Sequence, residues 1–250
     1  MIDLSQLKRS IAVSKKNLRI YYLKGPVLIF GIILPFFFFL AFWLGREMSH
    51  IVLGTGLIGM ALWFTATSIS PVITPWENRT KTLEWLISAP IGHSWILIGD
   101  ILASATLGII LTIIPLSIAL IILKLSIESI IILILGLIAS TLCFSTIGVL
   151  MAAYPTDTPA DVMMLSSIIK FPIIFVSGIF IPINKLPTWG RSISYLSPLT
   201  YFVDLLKWTF GGKKELWLTP QQDLVIITAF TIIFFALALY SHKKTLSKRL

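Results

Sequence analysis

The sequence predicts an all-α membrane protein: six transmembrane helices, an N-terminal interfacial amphipathic helix, and a re-entrant outer helical segment before the last span. Three observations lead there. First, 56% of the 250 residues are hydrophobic and only 12% are charged, half the roughly 25% of an ordinary soluble domain. With a mean hydropathy of +0.93, too little polar surface remains to cover a water-soluble globule. Second, apolar runs recur at about the 20-residue length that a helix needs to cross ~30 Å of hydrocarbon. Third, the net charge of +9 is gathered at the ends of those runs. Lys8, Arg9, Lys15, Lys16, Arg19 and Lys24 precede the first, and Lys243, Lys244, Lys248 and Arg249 follow the last. Charges placed so set topology and meet anionic lipid headgroups, which argues against a nucleic-acid partner.

Residues 1–25 read as the interfacial helix, with Leu4, Leu7, Ile11 and Leu18 at helical spacing and basic residues between them. The spans follow at about 26–44, 51–74, 94–123, 129–153, 162–182 and 224–240. Each must be helical in lipid, because no water is available to satisfy its backbone groups. Lys and Arg number twelve on the side of the termini and seven on the other, so both termini are expected in the cytoplasm of a multi-pass plasma-membrane protein. Trp76, Trp85 and Trp95 gather at the inner level, and Trp189, Trp208 and Trp217 at the outer one. The one cysteine, Cys143, lies inside a span and forms no internal disulfide. No cleavable signal is expected, and residues 1–250 form a single transmembrane domain.

Catalytic motifs are missing. His50, His93 and His242 are far apart in the span order and offer no metal-ligand spacing. Gly211-Gly212-Lys213-Lys214 lacks the spacing and the hydroxyl residue of a phosphate-binding loop. Neither a catalytic nor a metal site is therefore expected, and no cofactor on this chain.

Two segments carry more information. Residues 76–90 (WENRTKTLEWLISAP) read as a short amphipathic helix bounded by Pro75 and Pro90, suited to lying flat at the inner surface. Residues 183–222 are interrupted by Pro187 and Pro198, yet are rich in Leu, Ile, Trp and Tyr. Such a segment is expected to fold back into the outer leaflet as one or two short helices, where protein satisfies the freed backbone.

These two segments resemble the ABC-2 type transporter permease family. Its inner-loop pattern E-x-x-x-G-T-x-E-x-L-x-x-x-P is met by Glu77, Thr82, Glu84, Leu86 and Pro90, with Lys81 in place of the glycine. Its late pattern S-G-x-x-x-P, then L-P, then P-L-x-Y, is met by Ser177, Gly178, Pro182, Leu186, Pro187, Pro198, Leu199 and Tyr201. The D-x-x-R that follows appears as Asp204 and Lys207. The resemblance covers nearly the whole chain and implies an exporter permease working with a cytoplasmic ABC ATPase that binds MgATP. A second permease, a copy or a paralogue, would complete the pathway for a drug-like, lipid-linked or polysaccharide substrate. Glu77, Arg79, Thr82, Leu83, Glu84, Leu86 and Pro90 would then couple to the ATPase.

Two ionisable residues lie inside spans, Asp100 and Lys170, about 9 and 12 Å deep counted from residues 94 and 162. Burying either alone costs roughly 2.5–3.5 kcal/mol on insertion scales, so a mutual pair is expected. Two other readings stay open on the sequence. A membrane-embedded enzyme acting on lipid would need converging acids, for which only Asp157 and Asp161 are near one another. An ion-coupled carrier would lean on Asp100 and Lys170 and need no ATPase.

Overall fold

The computed structural model describes residues 4–21, 25, 29–45, 49–211 and 216–246. Among these, every regular element is helical. In chain order they are α1 (Leu4–Tyr21), a π-helical turn (Ile29–Ile33), α2 (Leu34–Gly45), α3 (His50–Arg79), α4 (Thr82–Ser88) and α5 (His93–Ile121). There follow α6 (Ile130–Met151), α7 (Pro159–Val176), a 3₁₀ turn (Ile183–Lys185), α8 (Thr188–Tyr195), α9 (Pro198–Thr209) and α10 (Pro220–Leu246).

Five of these helices, α3, α5, α6, α7 and α10, are long and apolar enough to cross a membrane. The predicted run at 26–44 is described only from Ile29 onward, as the π turn and the 12-residue α2. Starts are set by local chemistry. Ser49 and Ser129 cap α3 and α6, their hydroxyls accepting from Val52 N at 3.3 Å and Ile132 N at 3.5 Å. Pro159 and Pro198 open α7 and α9, where a missing N–H costs nothing.

The bundle is organised around α3. About 45 Å long at 1.5 Å per residue, it is buried almost continuously from Leu53 to Pro75 and packs against α5, α6, α7 and α9. Its hydroxyl residues Thr55, Thr65, Thr67, Ser68 and Ser70 are buried too, so its sides meet protein rather than lipid. The surrounding helices turn Ile110, Ile113, Ile131, Ile134, Val225 and Ile232 outward. Exposed aliphatic side chains repeated around a bundle are the mark of a lipid-facing wall.

Three predicted boundaries move. The second span does not stop at residue 74: α3 continues through Pro75 to Arg79, and only Thr82–Ser88 forms the short helix expected over 76–90. The break lies at Lys81, whose φ of 59° no helix continues. The fifth span starts earlier and stops sooner than 162–182, because Pro159 begins α7 and the Ser177-Gly178 turn, with Gly178 at φ +81°, ends it. The sixth is longer than 224–240, running from Pro220.

Candidate functional site

The two motif-bearing segments sit at opposite ends of α3, named inner and outer after the topology that the charge distribution predicts, and are built differently. At the inner end, α4 hangs from α3 by a two-residue link, Thr80-Lys81. Thr80 N closes onto Trp76 O at 3.0 Å, and Thr82 Oγ1 donates to Glu77 O at 3.2 Å. Lys81 adopts the left-handed conformation, which glycine takes without penalty and other residues avoid. That is the position at which the family-like pattern has glycine, so the backbone shape is kept although the residue is not. Lys81 Nζ also pairs with Glu84 Oε1 at 3.2 Å. At the neighbouring α6–α7 link, Asn78 donates to Asp157, and Thr156 Oγ1 donates to Asp161 at 2.9 Å. Asp157 and Asp161 thus serve the loop structure.

α1 straps this end down. Gln6 Nε2 donates to Pro90 O at 3.3 Å while its Oε1 accepts from Gly92 N at 3.0 Å, fixing the exit of the loop. Lys16 pairs with Glu77 at the entrance, and Asn17 Nδ2 donates to Asp100 Oδ1 at 2.6 Å. The buried stripe of α1 is Ser10, Val13, Ser14 and Asn17, one helical face at i, i+3, i+4 and i+7. Leu4, Ile11 and Ile20 point outward instead, as residues of an interfacial helix do toward lipid. Gly99 makes the close contact possible: a Cβ there would stand 2.8 Å from Ser10 O and from Val13 Cβ.

Of the residues expected to couple to an ATPase, Arg79, Thr82, Glu84 and Pro90 are exposed, Leu86 is half-buried and Leu83 is buried beneath α4. Glu77 is only 2% exposed and is held by Lys16, so it anchors the loop from inside. Trp85, given only a headgroup-level role above, stands 80% exposed beside Glu84. Sequence reasoning missed Lys16, Asn17 and Gln6 as loop partners, since their contacts lie between 61 and 86 residues away in the chain. His93 and His242, distant in span order, bring their rings within 6.0 Å here, and His242 Nε2 lies 2.8 Å from Val149 O. No group of three or more metal-ligating side chains occurs among the described residues.

Asp100 and Lys170 do not meet as predicted. Asp100 shares a small gap with Thr74 and Glu77 and is bonded to Asn17. Lys170 Nζ instead donates to Ser68 Oγ at 2.9 Å and lies 3.5 Å from Thr67 O. Thr67 and Thr74 are seven residues apart on α3, about 10 Å along its axis. Within the chain the pair does not form because Asp100 faces Asn17 of α1 whereas Lys170 faces Ser68 of α3. The buried charge also found hydroxyl and carbonyl acceptors on α3, so it needed no carboxylate.

At the outer end the late motif closes on itself. Ser177 Oγ donates to Ile174 O at 2.8 Å, finishing α7, and Gly178 makes the turn. Pro182 and Leu186 flank the 3₁₀ turn, and Pro187 stands at the start of α8. Helix α9 enters the bundle beside α3, α6 and α10, with Pro198 at its first position and nearly every residue buried. Tyr201 Oη donates to Tyr195 O at 2.8 Å, and Lys207 Nζ to Gly178 O at 3.3 Å. Asp204 accepts from Trp217 N at 3.0 Å and Leu218 N at 2.9 Å, tying α9 to the entry of α10. Burial pushes the Asp204 carboxyl above its ordinary range; the Leu218 and Trp217 N–H groups and nearby Lys207 oppose this. Of the Gly211-Gly212-Lys213-Lys214 run considered above, residues 212–214 lie outside the described residues.

Comparison with known proteins agrees with this geometry. Residues 7–210 match the family model described as ABC-2 type transporter. The chain is 22% identical over 159 residues to the inner membrane transport permease YadH of Escherichia coli strain K12, and equally to that of Shigella flexneri. The match covers 63% of this chain and 62% of the relative. With both motif segments inside the matched region, and an all-helical bundle of apolar spans around them, this chain belongs to the ABC-2 type transporter family.

Proposed function

We propose that the chain is the membrane-spanning subunit of an ATP-driven exporter. It would cross the membrane six times, keep both termini in the cytoplasm, fold 183–222 back into the outer leaflet, and work beside a second permease. ATP hydrolysis would occur on a separate ABC ATPase, and the cargo would be drug-like, lipid-linked or polysaccharide. The observation that carries the reading is the mounting of α4. Arg79, Thr82, Glu84 and Trp85 are exposed on a loop whose two ends are tied to α1 through Gln6 and Lys16. A projecting, rigidly held loop is what transmission of force from a partner requires.

The test is reconstitution with an ABC-type ATPase encoded beside this chain. The wild-type pair should hydrolyse ATP faster together than the ATPase alone. Glu84→Lys with Trp85→Asp should abolish that stimulation while membrane insertion stays intact. Unchanged stimulation would remove α4 from the coupling role, and failure of any such ATPase to associate would remove the exporter reading. The re-entrant segment has its own test, in a background lacking Cys143. Cysteine at Leu196, which is exposed on the protein surface, should resist a membrane-impermeant thiol reagent, and cysteine at Lys185 should react. Equal labelling would make 183–222 a solvated loop.

A further inference from the structure

A cavity of about 290 Å³ opens at the outer end, between the close of α7, the 3₁₀ turn, α8 and α9. Among the described residues its charged lining is Lys185, Arg191 and Lys207 against one acid, Asp204, an excess of two positive charges. The acid is already engaged, since its oxygens accept from Trp217 N and Leu218 N. Donor capacity in the same wall is left over. Thr200 is fully buried, lines the cavity, and its hydroxyl has no hydrogen-bond partner among the described residues. Arg191 gives one Nη2 bond to Asn184 O at 2.9 Å, while its Nε is buried and likewise unpartnered. Buried donors without acceptors are costly and rare, and a surplus of cations around them asks for an anion with several acceptor oxygens.

From this geometry we infer that the outer cavity binds a phosphate group, held by Arg191, Lys185 and Lys207 with the Thr200 hydroxyl as a further donor. Guanidinium geometry suits oxyanions of this kind. The volume sits at the small end of ligand pockets, which run from about 300 Å³, so it takes a headgroup rather than a whole bulky cargo. The surroundings favour a phosphate carried by a membrane amphiphile. Helix α8 lines the cavity with Arg191 and Tyr195, while its opposite face exposes Trp189 and Ile193, with Leu196 just past its end, an apolar face suited to lying against lipid. Tyr195 and Trp217 stack at 4.5 Å between ring centres to form an inner wall. The inference does not depend on the ATPase, because it concerns binding alone.

The full-length chain, purified in a neutral maltoside detergent, is titrated with dioctanoyl phosphatidylglycerol, with dioctanoylglycerol, and with inorganic phosphate. Thermal midpoint and native mass spectrometry are the readouts. The anionic lipid should raise the midpoint and be retained one per chain, whereas dioctanoylglycerol should do neither. Arg191→Gln, Lys185→Gln and Thr200→Val should each weaken lipid binding, the first by about tenfold or more, as expected for losing one charge-assisted hydrogen bond. Lys243→Gln with Lys244→Gln, at the other end of the molecule, should leave it unchanged. Lys185 is exposed and Thr200→Val conserves shape, so these two variants report on the site even if Arg191→Gln folds poorly. Inorganic phosphate binding as well as the lipid, with the same variant losses, would keep the phosphate site and overturn the lipid source. Equal lipid binding by the wild type and the three cavity variants, or equal loss in the Lys243 and Lys244 variant, would overturn the site itself.

Discussion

The inner and outer ends of this permease solve the same problem, a helix that must stop and turn, with different residues. At the outer end Gly178 takes the left-handed position at φ +81°, and at the inner end Lys81 takes it at φ 59°. Glycine has no Cβ to object, whereas an L-residue there costs roughly 1–2 kcal/mol. The inner turn therefore holds a strain that the outer one lacks, and external ties offset it. Lys16, Gln6 and Asn17 of α1 grip its flanks, while the outer turn is held by residues of the late motif itself, Ser177 Oγ donating to Ile174 O and Lys207 Nζ to Gly178 O. A turn fixed by a separate helix is one whose position can be altered from outside. A turn fixed by its own segment is a permanent fixture.

The contrast is easiest to break at α1. Lys16→Met leaves Glu77 buried with its cation removed, and losing one partner of a buried pair costs about 3–5 kcal/mol. Because the Lys16 side chain is 34% exposed, the low end is expected, seen as a lower unfolding midpoint in detergent. A wild-type midpoint would show that the strap is decorative. Next, Gly99→Leu should push α1 away by filling the space taken by Ser10 and Val13, an overpacking penalty of roughly 1–3 kcal/mol. Protease should then cut near residues 80–82 faster than in the wild type; an unchanged cutting rate would mean that α1 does not order the loop.

Gly178→Ala tests the other end. Its Cβ would lie 3.1 Å from Ile183 Cγ1 in a conformation an L-residue disfavours, for a loss of about 1–2 kcal/mol. Loop cutting at 80–82 should stay as it was, and a change there would contradict the independence of the two ends. The smallest effect, and opposite in sign, is Lys81→Gly. It relieves the left-handed strain and should raise the midpoint by about 1 kcal/mol in stability, less whatever the exposed pair with Glu84 contributed. A drop would mean that the Lys81 side chain matters more than its backbone.

Much of the fold was legible in the sequence because the solvent enforces it. A long apolar run has one way to satisfy its backbone in lipid, so α3, α5, α6, α7 and α10 follow from composition. The motif spacings at 77–90 and 177–207 fall where the chain turns, at Lys81 and Gly178, since short-range turns depend on nearby residues. The limits of α7 were misjudged where hydropathy continues past the Gly178 turn, and α3 where Pro75 was taken as a stop although a proline inside a helix can be accommodated by its neighbours.

Partner choice belonged to the tertiary structure. Asp100 and Lys170 are both expensive to bury alone, and their opposite signs suggested each other. Only the packing shows that Asn17 reaches Asp100 from 83 residues away and that Ser68 reaches Lys170 from 102. Likewise Glu77 looks from the sequence like a surface carboxylate in a polar loop, yet α1 lies over it and turns it into a buried anchor. Hydrophobicity and turn chemistry act over a few residues and can be read along the chain. Hydrogen bonds and ion pairs act over about 3 Å of space, and which groups come that close is fixed only once the helices have packed.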